Sequence, residues 1–208
     1  MKWIQMPLGA LQTNCYVLYH DEQALVIDPG DEGKKLINWL EKNALQPVAI
    51  LLTHTHFDHI GAVDELREKY KIPLYVHKEE KDWLQNPVLN GSSLFFPDKP
   101  LRVEGPDRII EGEGELTIGP FHLTILETPG HSPGSISFYD KGRGVIFAGD
   151  TLFFGSIGRT DLPGGDHERL IHSIRTKIFT LPKETTVLPG HGPGTTVGRE
   201  INENPFFR

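Results

Sequence analysis

The stretch that decides the fold is A-I-L-L-T-H-T-H-F-D-H-I-G-A-V, residues 49–63. Its apolar run ends at Thr53 and is typical of a strand that is covered on both faces. Metal-binding side chains then follow within six positions: His54, His56, Asp58 and His59. Imidazole and carboxylate groups bind Zn, Fe and Mn, so this segment predicts a metal site that begins where a strand ends.

Three further side chains of the same chemistry stand at the ends of other apolar strands. They are His131 after L-T-I-L-E-T-P-G, Asp150 after G-V-I-F-A-G, and His191 after T-T-V-L-P-G. Each is preceded by glycine, which lets the backbone turn sharply at a corner. Because strand ends are rigid, such corners at one edge of a sheet sandwich are expected to bring their side chains together.

The spacing within the histidine segment indicates two groups of ligands. His54 and His56 project to the same side of an extended backbone, so both can bind one ion. Asp58 and His59 lie past the corner and can serve a second ion. Asp28, at another strand end, is interpreted as a turn residue or as support for a ligand. The remaining histidines are interpreted as surface or packing residues: His20, His77, His122, His167 and His172.

The composition limits the class of protein and of partner. A chain of 208 residues with 38% hydrophobic and 24% charged residues suits one globular domain. The net charge of −7 argues against a nucleic-acid partner. The single cysteine, Cys15, cannot form an intrachain disulfide, and no apolar run is long enough to cross a membrane. A cytoplasmic location is therefore expected, without a membrane partner.

Strand and helix patterns are interspersed along the chain and predict an α/β sandwich in layers. A first helix is expected after D-P-G-D with Asp31 as its N-cap, and a second one near Gly61. Residues 78–85 are predicted to form a short helix, and residues 86–108 a long surface loop that is either functional or a mobile insertion. A loop over 151–166 precedes the last clear helix, which contains Leu170, Ile171, Ile174 and Ile178, and a short terminal helix follows.

The motif T-H-T-H-F-D-H resembles that of the metallo-β-lactamase superfamily. Further similar motifs cover essentially the whole chain: T-N-C-Y-V-L, V-I-D-P-G, T-P-G-H-S-P-G-S, F-A-G-D-T-L-F, G-S-I-G-R-T-D and L-P-G-H-G-P-G-T-T. Within the superfamily the sequence is most similar to glyoxalase II, the hydroxyacylglutathione hydrolases, in a short form of one domain over 1–208. The resemblance implies a four-layer αββα sandwich with a dinuclear metal site at one edge.

The resemblance also implies the role of each ligand. The first metal would be bound by His54, His56 and His131, and the second by Asp58, His59 and His191, with Asp150 bridging. Zinc is the expected metal at both positions, with iron or manganese as alternatives. Glyoxalase II enzymes carry an extra C-terminal helical region that supplies much of the glutathione site, whereas this chain ends about 17 residues after His191.

A hydrolytic mechanism follows from such a site. A hydroxide that bridges two divalent ions is available at neutral pH and would attack a thioester or ester carbonyl. Asp58 would orient or deprotonate the water, which makes it the expected catalytic residue. A thiol leaves without a strong acid, because its pKa is about 8.5, so a small-molecule thioester is the expected substrate. Arg159 either binds a substrate carboxylate or pairs with Asp161.

Several alternatives stay open at this point. Persulfide dioxygenases of the same superfamily use one iron at positions that match His54, His131 and Asp150. Lactonase or other ester hydrolysis is also compatible with the site. The commonest β-lactamases have cysteine at the position of Asp150, which argues against that activity. The acidic charge disfavours nucleases, the histidine at position 56 disfavours flavodiiron proteins, and the complete ligand set disfavours a non-catalytic scaffold. The oligomeric state is not predicted.

Overall fold

The computed structural model describes residues 2–208 as two compact units. The first contains the chain up to Glu111 together with Thr117–Phe121, and the second contains Gly112–Leu116 and His122–Arg208. In this described range, no helix combines the length and the apolar character needed to cross a bilayer. The expectation of one hydrolase domain over the whole chain stays a prediction.

The first unit is built on a six-stranded mixed sheet in sequential strand order. Strands β1 to β3 are antiparallel, whereas β3 to β6 are parallel. Its strands are β1 Lys2–Leu8, β2 Thr13–His20, β3 Gln23–Ile27, β4 Gln46–Leu51, β5 Leu74–His77 and β6 Arg108–Ile110. Its helices are α1 Gly33–Lys42, α2 Phe57–Ile60, α3 Val63–Tyr70 and α4 Ser92–Phe95, with a 3-10 helix at Lys78–Glu80.

The second unit contains a small hairpin and most of a six-stranded sheet of order β14-β13-β10-β9-β8-β7. The strands of the sheet are β7 Gly114–Ile118, β8 Phe121–Glu127, β9 Ile136–Asp140, β10 Val145–Gly149, β13 Thr186–Pro189 and β14 Thr195–Thr196. The hairpin pairs β11 Leu152–Phe153 with β12 Ser156–Ile157. Helix α5, His167–Ser173, continues into a π-helical turn at Ile174–Ile178, and α6 Val197–Glu203 precedes a 3-10 helix at Pro205–Phe207.

Each unit has its own hydrophobic core. In the first, Leu36 and Leu40 of α1 and Leu66 of α3 are fully buried in one cluster with apolar residues of the sheet. In the second, Leu170 and Ile174 are fully buried with residues of β10 and β13. Burying such side chains stabilises a fold by roughly 1.5–3 kcal/mol each. The helical spacing seen in the sequence therefore gives the correct buried faces.

The predicted N-cap of α1 is wrong. The helix begins at Gly33, and its N-cap is Glu32, which has a left-handed φ of 50° and makes no side-chain cap. Asp31 Oδ1 instead accepts a hydrogen bond from the backbone N–H of Glu32, at 2.6 Å. Because Asp31 bonds to the adjacent residue, its carboxylate does not receive the later N–H groups of the helix.

Residues 86–108 are not simply a long surface loop. They contain α4, and both Asn90 and Ser92 are fully buried. Asn90 Nδ2 donates to the Leu101 carbonyl at 3.1 Å, and the Leu101 N–H donates to Ser92 Oγ at 2.9 Å. Side chains thus satisfy backbone groups here, an arrangement that has no sequence period. Two other boundaries differ: the helix expected at 78–85 is only the 3-10 turn Lys78–Glu80, and 151–166 contains the β11–β12 hairpin.

Candidate metal centre

The histidine segment brings four candidate ligands together in the first unit. His54 and His56 lie in the segment between β4 and α2, and α2 then places Asp58 and His59 in its single turn. The His54 ring centroid is 4.8 Å from that of His56 and 4.1 Å from that of His59. His59 Nε2 lies 3.6 Å from Asp58 Oδ2. All three imidazoles are buried, so they are held in defined orientations.

Asp28 orients this segment from the end of β3. Its Oδ2 accepts a hydrogen bond from Thr53 Oγ1 at 2.6 Å and lies 3.0 Å from His59 Nδ1, while Oδ1 accepts from the Thr53 N–H at 2.8 Å. Because a carboxylate accepts, Nδ1 of His59 carries the proton and Nε2 keeps its lone pair. The interpretation of Asp28 as support for a ligand agrees with these contacts.

Two other residues support the segment, and neither was singled out from the sequence. Thr13 Oγ1 donates to Asp58 Oδ2 at 2.8 Å. Glu80 is fully buried, and its Oε2 accepts from the N–H and the hydroxyl of Thr55 at 2.7 and 2.8 Å. In the sequence, Glu80 lies in K-E-E-K, a pattern typical of a solvated surface. Only the fold reveals that this carboxylate fixes the residue between His54 and His56.

The second unit brings its three candidate ligands around one carboxylate oxygen. Asp150 Oδ2 lies 3.6 Å from His131 Nε2 and 3.4 Å from His191 Nε2. His131 is buried, whereas the His191 side chain is 29% exposed. Nδ1 of His131 donates to the Arg159 carbonyl at 2.7 Å, which leaves Nε2 as the lone-pair nitrogen facing Asp150.

Glycines allow the tight packing behind these ligands. A Cβ at Gly130, whose φ is 137°, would overlap the backbone of Leu170 at α5. A Cβ at Gly158 would overlap the carbonyl oxygen of Asp150. The glycine before His131 therefore serves a close approach of two backbones, as the sequence pattern suggested.

The donor set fits divalent metal ions in both chemistry and spacing. Two ligands that are each about 2.1 Å from one ion at a tetrahedral angle stand about 3.4 Å apart. The distances of 3.4–3.6 Å between imidazole nitrogens and carboxylate oxygens in both units match this value. Asp150 Oδ2 has two such neighbours, Nε2 of His131 and Nε2 of His191.

Arg159 pairs with Asp161 in this structure. Its Nε and Nη2 donate to the two carboxylate oxygens at 2.6 and 2.8 Å. This guanidinium lowers the pKa of Asp161 to about 2, and the same pair raises the pKa of Arg159. The side chain is half exposed. The pairing is one of the two roles predicted for Arg159, and a substrate role stays a prediction.

The histidines interpreted as non-ligands lie elsewhere. His77 is buried at the end of β5, where its Nδ1 accepts from the Glu79 N–H and caps the 3-10 turn. His20 is paired with Asp21 at the surface. His122 and His172 are exposed, as is His167 at the start of α5.

The family model for the metallo-beta-lactamase superfamily matches residues 8–191. The chain belongs to this superfamily. A relative from Bacillus subtilis (strain 168), named probable metallo-hydrolase YqgX, is 53% identical and covers 100% of this chain and 98% of its own. A relative from Haemophilus influenzae, named hydroxyacylglutathione hydrolase GloC, is 40% identical and covers 97% of this chain and 96% of its own.

Solved structures of the superfamily share this fold. The structure of BLEG-1, described as a B3 metallo-beta-lactamase, has a TM-score of 0.96 and 51% identity, and the match covers 99% of each chain. TTHA1623, described in a di-iron-bound form, has a TM-score of 0.87 and 41% identity over 98% of this chain and 99% of that one. The predicted metallo-β-lactamase fold is therefore confirmed. The chain is a metallo-hydrolase whose His/Asp cluster suits divalent metal ions.

Proposed function

We propose that this metallo-hydrolase cleaves small-molecule thioesters, releasing a carboxylic acid and a thiol. The observation that carries the proposal is the donor set, in which every ligand position of the superfamily motif has the expected residue type. The relative GloC, at 40% identity over nearly the whole chain, supports a hydroxyacylglutathione thioester as the first substrate to test.

We assign the seven candidate donors to one pair of ions. His54, His56 and His131 would bind the first ion, and Asp58, His59 and His191 the second. Asp150 would bridge the ions, which its nearly equal distances to His131 and His191 support. Zinc fits these ligands, and the di-iron form of TTHA1623 makes iron the main alternative.

Asp58 is the residue that we propose to act on the reacting water. When bound, two divalent ions would supply a Lewis acid for the carbonyl oxygen and lower the pKa of coordinated water to about 7. Asp58 Oδ2 is fixed by the Thr13 hydroxyl at 2.8 Å, so the carboxylate has one defined orientation. A carboxylate held in this way can orient the water and accept its proton.

A thiol leaving group matches the chemistry of the donors. The proposed ligands are imidazoles and carboxylates, and no dedicated general acid is assigned among them. A thiolate can depart without one, since a thiol has a pKa of about 8.5. Arg159 is the proposed contact for a substrate carboxylate, which would have to compete with Asp161 for the guanidinium.

The deciding experiment measures metal content and turnover on the same sample. Purified protein is analysed for Zn and Fe and then assayed for hydrolysis of S-lactoylglutathione, with and without added Zn²⁺. We expect about two metal ions per chain and turnover that chelation abolishes. Full metal loading without hydrolysis of this or any other thioester would refute the proposal. Lactones and other esters would then be the substrates to assay.

β-Lactam hydrolysis is a second candidate, because BLEG-1 is described as a B3 metallo-beta-lactamase and is 51% identical. A chromogenic cephalosporin assayed beside the thioester distinguishes the two activities by their kcat/KM.

One iron per chain, with oxygen uptake on a persulfide substrate, would instead indicate a dioxygenase and contradict the hydrolase proposal.

A further inference from the structure

A fully buried carboxylate that is not among the candidate ligands lies in helix α6. Glu200 Oε1 accepts hydrogen bonds from Thr195 Oγ1 at 2.6 Å and from Arg199 Nη1 at 2.7 Å. Its Oε2 accepts from the Gly155 N–H at 2.9 Å and from Asn204 Nδ2 at 2.8 Å. Four donors satisfy both oxygens of this buried carboxylate, and such a satisfied buried network holds its members in a defined geometry.

One of the four donors to Glu200 lies at the tip of the β11–β12 hairpin. Gly155 is in the turn of this hairpin with a φ of 65°, and its N–H points to Glu200. Asn204 Nδ2 donates also to the Ser156 carbonyl at 3.1 Å. The Arg199 guanidinium lies 3.6 Å from the centroid of the exposed Phe154 ring. Three side chains from or beside α6 therefore fix this one turn.

The hairpin and the two residues after it contact the candidate ligands of the second unit. The hairpin begins at Leu152, two positions after Asp150, and the Asp150 carbonyl is closely packed against Gly158. Phe153 lies edge-on to the His191 ring, with centroids 6.2 Å apart. Just beyond the hairpin, the Arg159 carbonyl accepts a hydrogen bond from His131 Nδ1 at 2.7 Å. A shift of the hairpin would thus move the surroundings of all three ligands.

We infer that Glu200 is a positioning residue for the metal centre. Through the hairpin turn it fixes the orientation of His131, Asp150 and His191, although it touches none of them. The inference rests on the metal roles given above under the proposed function. It adds that α6 contributes to metal affinity through Glu200 and Asn204.

The test compares Glu200→Gln with Glu203→Gln. In the first variant an amide N–H₂ replaces one carboxylate oxygen and faces hydrogen-bond donors, so the turn loses a contact. Glu203 lies on the same helix, is 54% exposed and pairs only with Arg199 among the described contacts, so it controls for the loss of one charge. Zn²⁺ affinity is measured by competition with a chelator on folded protein, and the visible spectrum of the Co²⁺-substituted form reports ligand geometry.

We expect Glu200→Gln to weaken Zn²⁺ binding about tenfold, at the lower end of what supporting residues contribute, and to change the Co²⁺ spectrum. Glu203→Gln should behave as the wild type. Asn204→Ala, which keeps the Glu200 carboxylate, should also weaken Zn²⁺ binding and change the Co²⁺ spectrum. This variant tests the inference if Glu200→Gln does not fold. Wild-type Zn²⁺ affinity and spectrum in a folded variant would overturn the inference. Absence of metal binding by the wild type would instead refute the proposed function.

Discussion

At the scale of single residues, the donor atoms are fixed by partners that also decide which nitrogen is available. Asp28 and the Arg159 carbonyl bind Nδ1 of His59 and His131, so each imidazole presents Nε2. The Thr13 hydroxyl donates to Asp58 Oδ2 and in this way orients the Asp58 carboxylate. Because these partners set the tautomer and the orientation, they act on metal affinity without being ligands.

Replacing Asp58 by asparagine should abolish most of the hydrolytic activity. The amide keeps an oxygen that can accept from Thr13, but it loses the negative charge that orients and deprotonates water. We expect kcat to fall by at least about 100-fold, in line with general-base catalysis, while far-UV circular dichroism stays unchanged. Asp21→Asn, at an 89% exposed position, is the control. Full activity of Asp58→Asn would contradict the assignment.

Cys15 should be unreactive in the folded protein. Burial in β2 raises the pKa of its thiol well above the usual value, and the nearby Asp28 carboxylate raises it further. Only the thiolate is nucleophilic, so the native thiol stays protonated at pH values at which a free cysteine ionises. Titration with a disulfide reagent at pH 8–9 should label the cysteine only after denaturation. Rapid native labelling would show that β2 opens or that the thiol is accessible.

At the scale of elements, strand ends and the turns after them create the geometry. β4, β8, β10 and β13 each end just before a candidate ligand or one short turn ahead of it. The backbone near these turns packs closely against neighbouring segments. Gly130 packs against α5, and Gly30 packs against the Asp58 carbonyl. Glycine is required there because any side chain would occupy the space of another backbone.

Gly130→Ala should destabilise the fold strongly. The added methyl would overlap the backbone of Leu170, and the φ of 137° is unfavourable for alanine. We expect the free energy of unfolding to fall by about 2–4 kcal/mol, measured by denaturant titration. At Gly144, φ is 63° and nothing lies within 4 Å of the added atom, so Gly144→Ala should lower it by only about 1–2 kcal/mol. Equal effects of the two substitutions would show that backbone strain, rather than overlap, is decisive.

At the scale of the whole molecule, the proposed metal pair uses ligands from four separate stretches of the chain, which are residues 54–59 and the positions of His131, Asp150 and His191. A ligand that binds only the folded state stabilises it by about 2.7 kcal/mol when its free concentration is 100 times Kd. For a chain of this size, 1 kcal/mol corresponds to about 2–4 °C in Tm. Metal is therefore expected to contribute measurably to thermal stability.

Removal of metal should lower Tm by about 5–10 °C, in a single transition that Zn²⁺ restores. The comparison uses scanning calorimetry on protein dialysed against a chelator and on the reloaded sample. His54→Ala in the first unit and His191→Ala in the second should each reduce this metal-dependent shift. If one of the two variants leaves the shift unchanged, that histidine is not a ligand, and the proposed assignment of the donors is wrong.

The sequence alone determined the types and the local positions of the candidate ligands. Apolar runs, turn residues and the H-x-H-x-D-H spacing are local signals, so the strand ends and the side chains after them could be predicted. The same patterns predicted a layered α/β sandwich and the buried helix faces, and the resemblance to the superfamily implied the particular fold. The error at Asp31 concerned the orientation of one carboxylate, which no spacing specifies.

Only the tertiary structure decided which residues support those ligands. Asp28 and Thr53 are 25 positions apart, as are Thr55 and Glu80, and Gly155 and Glu200 are separated by 45. A carboxylate in K-E-E-K or in a short terminal helix has the same local pattern as a solvated surface residue. Whether it is buried against a distant backbone N–H depends on packing, because burial and hydrogen bonding are properties of the folded chain and leave no periodic signal in the sequence.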